Sequence, residues 1–361
     1  VILYKYARRF CPGERQDTVK EEIVQMKKRV LTLVLASALV AATVAGCGKL
    51  DGSEVVAEVG DAKITADVAN FYARYQQAQY ETYYASFLGE DMWSGEAEEG
   101  KTYEESVKEG VLESLETMYI LDAHKDDYGV SLTDEENEAI EKAAKSFTES
   151  NNLEDKDMVS GDEETVKKFL ELVTIQEKMH EAMTADVDTE VSDEEAAQKS
   201  MQYVYFSFTK TDDDGNSTQL SEDEKAELKE TVEAFREGAV NAEDFAAYAE
   251  EAGYTASTLT FDTSTTSPSQ LLVVAADSLK EGEVTPVVED TSGYFVAKLT
   301  SLLDRDATDA KKESIVSERK EEQFDKLCEE WKEADGVKVH KNVWDKISFV
   351  KRGVTIKDTD E

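Results

Sequence analysis

Cys47 is the residue whose surroundings point most directly to chemistry. It closes the run Val44-Ala45-Gly46-Cys47, after an uncharged apolar stretch from Val30 to Val44 and the cations Lys27, Lys28 and Arg29. A basic region, an apolar region and small residues before a cut are the parts of a secretory signal peptide. The apolar stretch is shorter than the ~20 residues a membrane-spanning helix needs. A buried core helix is the alternative, and three cations before it and small residues after it argue against that. Elsewhere the chemistry-bearing types are scattered. His124, His180 and His340 show no metal-ligand spacing, so they are expected at the surface or in packing. If Gly215 of Asp212-Asp213-Asp214-Gly215 held position six of a calcium loop, Lys210 and Ser221 would stand where carboxylates are required, so a solvated turn is expected. No nucleophile motif and no phosphate loop occurs, and neither metal nor cofactor is expected.

Val44-Ala45-Gly46-Cys47 resembles the lipobox of bacterial lipoproteins: an aliphatic residue, two small ones, then the cysteine. The resemblance implies that the Cys47 thiol is diacylated, that the chain is cut before it, and that Cys47 anchors the protein to a membrane. Two acyl chains hold stably where one is marginal, at about 0.8 kcal/mol per buried CH₂. Met26 is then the expected start, 26–46 the lipoprotein signal peptide and 47–53 a polar tether. Residues 1–25 are read as upstream message translated in frame, since Lys20-Glu21-Glu22 is encodable by a purine-rich ribosome-binding run. With Cys47 acylated, Cys328 is left alone beyond it and no internal disulfide forms.

The 361 residues include 80 acidic and 40 basic ones, for a net charge of −40. Residues 1–46 hold eight of the basic and four of the acidic residues, which leaves net −44 from Cys47 onward. Such a surface repels phosphate backbones, so nucleic acid is excluded as a partner. It also keeps the protein soluble and off anionic lipid. Only three prolines occur, which favours helix.

The elements that must position any site read as two kinds of structure. Residues 54–64 alternate around Gly60-Asp61 and predict a hairpin. Thr65 is placed to cap an aromatic helix from Ala69 to Phe87. Further helices are predicted over 103–128, from the capping box Thr133–Glu136 to about Ser150, and over 163–185. Ser192–Glu195 is another capping box. The character then changes. The stretch 202–208 is a strand by aromatic and β-branched content, and 211–218 a loop. Capping box Ser221–Glu224 opens helices over 222–237 and 243–252. A strand at 257–261, a short helix after Pro268, and strands over 284–289 and 294–303 follow. A long charged helix from 308 to 334 ends at Gly336, before a strand near 337–340. Residues 350–361 read as a polar tail.

Asp244-Phe245-Ala246, then Leu279-Lys280-Glu281-Gly282-Glu283-Val284-Thr285-Pro286-Val287-Val288, then Ser292-Gly293-Tyr294-Phe295-Val296-Ala297-Lys298-Leu299 resemble a parvulin-type prolyl isomerase domain across 199–304. The lipobox, Val59-Gly60-Asp61-Ala62-Lys63-Ile64-Thr65 and the helical flanks resemble the PrsA/SurA-like extracytoplasmic foldases. The resemblance implies an α+β protein: a mostly helical chaperone module formed by 54–198 together with 305–349, and an inserted parvulin-like β-α-α-β-α-β-β domain. It also implies two catalytic histidines, and their positions fall on Tyr203 and Phe295. The domain is therefore expected to be degenerate, with little or no isomerase activity. The expected work is a lipid-anchored chaperone's, on unfolded secreted clients outside the cell membrane. Candidate client contacts are Tyr72, Tyr75, Tyr80, Tyr83 and Phe87, whose apolar bodies and polar tips also suit internal packing, with Phe206 and Tyr294. An isomerase with an altered site and a non-catalytic envelope-binding lipoprotein remain as alternatives, and a homodimer remains open.

Overall fold

A computed structural model describes residues 39–41, 50–89, 91–98, 100–151, 158–211, 217–350 and 353–356. Cys47, most of the apolar stretch before it, and Asp212–Gly215 lie outside the described residues. In chain order the elements are β1 (Leu39–Ala41), β2 (Val55–Val59), β3 (Ala62–Thr65), α1 (Ala66–Leu88), β4 (Glu96–Glu98), β5 (Lys101–Thr102), α2 (Tyr103–His124), α3 (Asp134–Ser150), α4 (Glu163–Met183) and α5 (Asp193–Ala196). Then come β6 (Lys199–Ser207), β7 (Thr209–Thr211), β8 (Ser217–Gln219), α6 (Glu222–Asn241), α7 (Phe245–Glu251), β9 (Ser257–Phe261), α8 (Gln270–Asp277), β10 (Val288–Asp290) and β11 (Gly293–Ser301). The chain ends with α9 (Arg305–Asp335), β12 (Val337–Val339), α10 (Lys341–Trp344) and β13 (Val354–Ile356). The fold is α+β. The chain divides into two compact units, residues 1–186 with 321–361, and residues 187–320.

The first unit is built from helices closed by a small sheet. Val166, Phe169, Leu170, Ile175, Met179 and Met183 recur at helical spacing and give α4 one buried stripe. It packs against α1, where the Phe71 ring meets Phe147 and Phe169 edge-on at 5.4 Å. The sheet runs β12-β2-β3, so the C-terminal segment pairs antiparallel with the N-terminal hairpin, Val337 opposite Val59. Gly336 has φ +78°, the left-handed conformation that ends a helix without a Cβ clash, and it turns α9 into β12. Within the stretch read as a polar tail, the structure instead forms β13, with Val354 fully buried. Two apolar residues in a charged run carry too little periodicity to announce a strand.

The second unit centres on an antiparallel sheet ordered β10-β11-β6-β9. Alternation gives it two apolar faces. Val204, Phe206, Tyr294 and Val296 pack on one side with Val232 and Phe235 of α6 and Phe245 of α7. Met201, Phe295, Ala297 and Leu299 pack on the other with Leu272, Val273 and Ala276 of α8. Two local expectations need adjusting. The predicted strand over 284–289 is reduced to β10 and a single bridge from Val284 to Lys298. The loop at 211–218 instead carries the ends of the β7–β8 hairpin.

Candidate client-binding and isomerase sites

In the second unit, β11 and β6 lie in a register that puts Phe295 opposite Tyr205 and Ala297 opposite Tyr203. Residues two apart share a face, so Tyr203, Tyr205 and Phe295 lie on one side of the sheet. The Phe295 ring is 4.8 Å from that of Tyr205 and 6.1 Å from that of Tyr203. The two positions implied by the parvulin resemblance are thus brought together, as aromatics. Phe295 is 2% exposed and sits among Met201, Phe261, Leu272, Val288 and Leu299, none of which carries a hydrogen-bonding side chain apart from sulfur. The Tyr205 hydroxyl donates to the Ser292 carbonyl at 2.7 Å. The buried Thr285 hydroxyl accepts from the Ala297 amide at 3.0 Å. Ser269 donates to Asp290, and this bond is the main cause holding the Asp290 carboxyl below its usual range. These polar groups are bonded to the fold's own backbone or to each other. The Phe295 ring itself can neither donate to nor accept from a twisting imide.

Phe206 and Tyr294 are each 3% exposed, in the opposite cluster. The Phe206 ring packs edge-on against Phe235 at 5.4 Å and Tyr254 at 4.7 Å. Both side chains build the core, so the client-contact expectation does not carry to them. The alternation that makes them core residues is legible in β6, but which face lies under a helix is not.

In the first unit, α1 changes character along its length. From Ala66 to Ala78 it is buried nearly all round, taking Asn70, Arg74, Gln76 and Gln77 inside with the apolar residues. Tyr72 is half-buried against Phe169 at 5.0 Å, and its hydroxyl accepts from Gln76 at 3.1 Å. Burial pushes the Tyr72 and Tyr75 hydroxyls up in pKa. Tyr80 is half-buried and lies 5.8 Å from Trp93. The last turns emerge: Tyr83 is 66% exposed, Tyr84 49% and Phe87 85%. The helix therefore divides the expected contacts. Tyr72, Tyr75 and Tyr80 serve packing, and Tyr83 and Phe87 offer apolar surface, joined by Tyr84.

Polar residues on α1 also do work that the aromatic pattern hides. Arg74 donates to the Ser348 carbonyl at 3.1 Å and Gln77 to the Phe349 carbonyl at 3.3 Å. The Val354 amide donates to Glu81 at 2.6 Å and the Ile356 amide to Thr82 at 2.9 Å. Residues 74, 77 and 81 follow one helical face, and that spacing was the available signal. Two of the histidines instead meet α9, and the third stands just after β12. His124 stacks on Trp331 at 4.3 Å with its ring nitrogens 3.1 Å from Asp127 and Asp335. His180 faces Glu321 at 3.1 Å and His340 faces Glu58 at 2.9 Å. Among the described residues no group of His, Cys, Asp or Glu is arranged to hold a metal. No described helix is long and apolar enough to cross a membrane.

Residues 21–160 match the model of a SurA-like N-terminal domain. The chain is 28% identical over 262 residues to Foldase protein PrsA of Clostridium botulinum strain Langeland, covering 67% of this chain and 76% of the relative. PrsA of strain Hall is also 28% identical, over 270 residues, with 68% and 76% covered. Among solved structures, PrsA of Streptococcus pneumoniae is similar at 20% identity and a TM-score of 0.30, over 72% of this chain and 99% of that one. The peptidylprolyl isomerase PrsA of Bacillus cereus is similar at 14% identity and a TM-score of 0.30, over 83% and 98%. The match to a SurA-like N-terminal domain and the similarity to PrsA along two thirds of the chain support a PrsA/SurA-like foldase.

Proposed function

We propose that the protein is a lipid-anchored extracytoplasmic foldase that works by holding unfolded secreted chains, with little or no prolyl isomerase activity. The observation that carries this reading is Phe295. Rotation about a prolyl bond meets a barrier of ~18–20 kcal/mol. A protein lowers it by placing hydrogen-bonding groups where the twisted imide needs them. A buried phenyl ring has none to place, and the Tyr205, Thr285 and Ser269 hydroxyls nearby are bonded within the fold. Holding clients asks less. Tyr83, Tyr84 and Phe87 stand clear of the core, and covering one such side chain contributes about 1.5–3 kcal/mol before ordering costs. That suits weak, reversible contact at several points. The acidic surface keeps a loaded complex soluble and favours basic clients. Lipidation of Cys47 would hold the protein where secreted chains emerge.

The test uses the chain from Gly48 to Glu361. Cis–trans exchange in a proline peptide and aggregation of an unfolded client are measured side by side. Suppressed aggregation with exchange at the uncatalysed rate is expected. Exchange accelerated by two or more powers of ten would instead make it an isomerase with an altered site. Mass spectrometry of the native protein tests the anchor, since an unmodified Cys47 thiol would remove it.

A further inference from the structure

The strand β13 is gripped on one side and paired on the other. Its Val354 and Ile356 amides donate to Glu81 and Thr82 of α1. Successive amides along a strand point to opposite sides, so the Thr355 amide and carbonyl face away from α1. On that side lies β1, antiparallel, with Val40 opposite Thr355 and its neighbours Leu39 and Ala41 opposite Ile356 and Val354. Among the described residues β1 is the sole strand paired with β13. Its residues, Leu-Val-Ala, belong to the apolar run of the expected signal peptide.

We propose that the Thr355 edge of β13 is a strand-addition site for an extended apolar segment of an unfolded client, held in the precursor by the protein's own leader. The inference rests on the foldase reading in one respect, that residues 26–46 leave the mature chain. Their departure strips β13 of its partner while α1 keeps it extended and fixed. An unpaired strand edge presents amides and carbonyls to any extended chain, and pairing through the backbone tolerates diverse sequences while side-chain contacts set preference. The segment paired there, Leu39–Ala41, comes from an apolar stretch of the sequence, and an apolar client segment is the occupant proposed. A tethered occupant also competes as though present at about millimolar concentration, so the precursor is blocked against micromolar clients and cleavage unblocks it.

The probe is a labelled peptide of residues 36–44, Ala-Ser-Ala-Leu-Val-Ala-Ala-Thr-Val, titrated by fluorescence anisotropy. The chain from Gly48 is expected to bind it at least tenfold more tightly than the chain from Met26. Methylating the peptide nitrogen at the residue matching Val40 should abolish binding. Thr355→Pro, which removes the edge donor and leaves the Glu81 and Thr82 bonds available, should abolish it from the protein side. Equal binding by both chains, or undiminished binding of the methylated peptide, overturns the proposal. So does a leader-free chain that dimerises through this edge and ignores the peptide. If aggregation suppression persists without peptide binding, the edge alone is refuted; if suppression is absent too, the foldase reading falls with it.

Discussion

If Phe295 fills the place of a catalytic group, truncating it should cost stability and change no chemistry. The ring is 2% exposed, with Tyr205 at 4.8 Å and Leu272, Val288 and Met201 in the same cluster. Phe295→Ala removes the transfer energy of the ring and leaves a cavity, about 3–5 kcal/mol for such a site. The strand pairing stays, because Phe295 and Tyr205 meet through the backbone regardless of side chain. Phe295→Leu retains most of the volume and should cost about 1–2 kcal/mol. Native-state hydrogen exchange of the β6 and β11 amides reads the loss locally. At 1.4 kcal/mol per tenfold, those amides should exchange about two to three and a half powers of ten faster in Phe295→Ala. All three tryptophans belong to the other unit, so the urea midpoint of tryptophan fluorescence serves as an internal control. A loss below about 1 kcal/mol would show that the ring is not packed as described. A prolyl exchange rate that changes in folded Phe295→Ala would show that it touches the reacting bond.

Other outcomes follow from single features. Tyr83→Ser with Phe87→Ser should leave stability within about 0.5 kcal/mol per site, since both rings face solvent, yet lower aggregation suppression severalfold; unchanged suppression would move the client surface elsewhere. Burial pushes the Cys328 thiol up to about 12, so in the chain from Gly48 a thiol reagent at pH 8 should react only as fast as the protein opens, and immediately in urea. Prompt labelling of the native chain would contradict that burial. Asp193 is held down to about 2, chiefly by its hydrogen bond from Lys312 and then that from Arg305. A depressed carboxyl stabilises above its unfolded value of 3.8 and loses that contribution as pH falls toward 2. The stability gap between the native chain and Asp193→Asn should therefore close over pH 4 to 2 in acid titrations. A gap that is independent of pH would remove the ion pairs as its cause.

Local signals were read from local causes. Thr133–Glu136 and Ser221–Glu224 form reciprocal capping boxes, and the Ser192 hydroxyl accepts from the Glu195 amide. Each is settled within four residues, so neighbouring sequence suffices. Thr102–Glu105 forms the same reciprocal box, directly after a glycine-rich loop. Thr65 stands at the N-cap of α1 but makes no cap bond. A residue type suited to a cap is therefore not by itself a cap, because the bond depends on the geometry the chain adopts there.

Composition and the strand alternation were properties of the chain itself, whereas Tyr203 and Phe295 were singled out only by what the parvulin resemblance implies. Composition and alternation depend on residue type and on short repeats, and a period of two or 3.6 assigns sides to an element without further help. The tertiary structure alone decided what covers each side. It buried Phe206 and Tyr294 while leaving Tyr83 and Phe87 in solvent, although all four are aromatics in regular elements. It turned α1 inside out for half its length, because the segment from Ser348 to Ile356 comes back to meet Arg74, Gln77, Glu81 and Thr82. Contacts spanning some 270 residues rest on loop closure and complementary surfaces, which are quantities of the whole chain and leave no periodic trace in either partner.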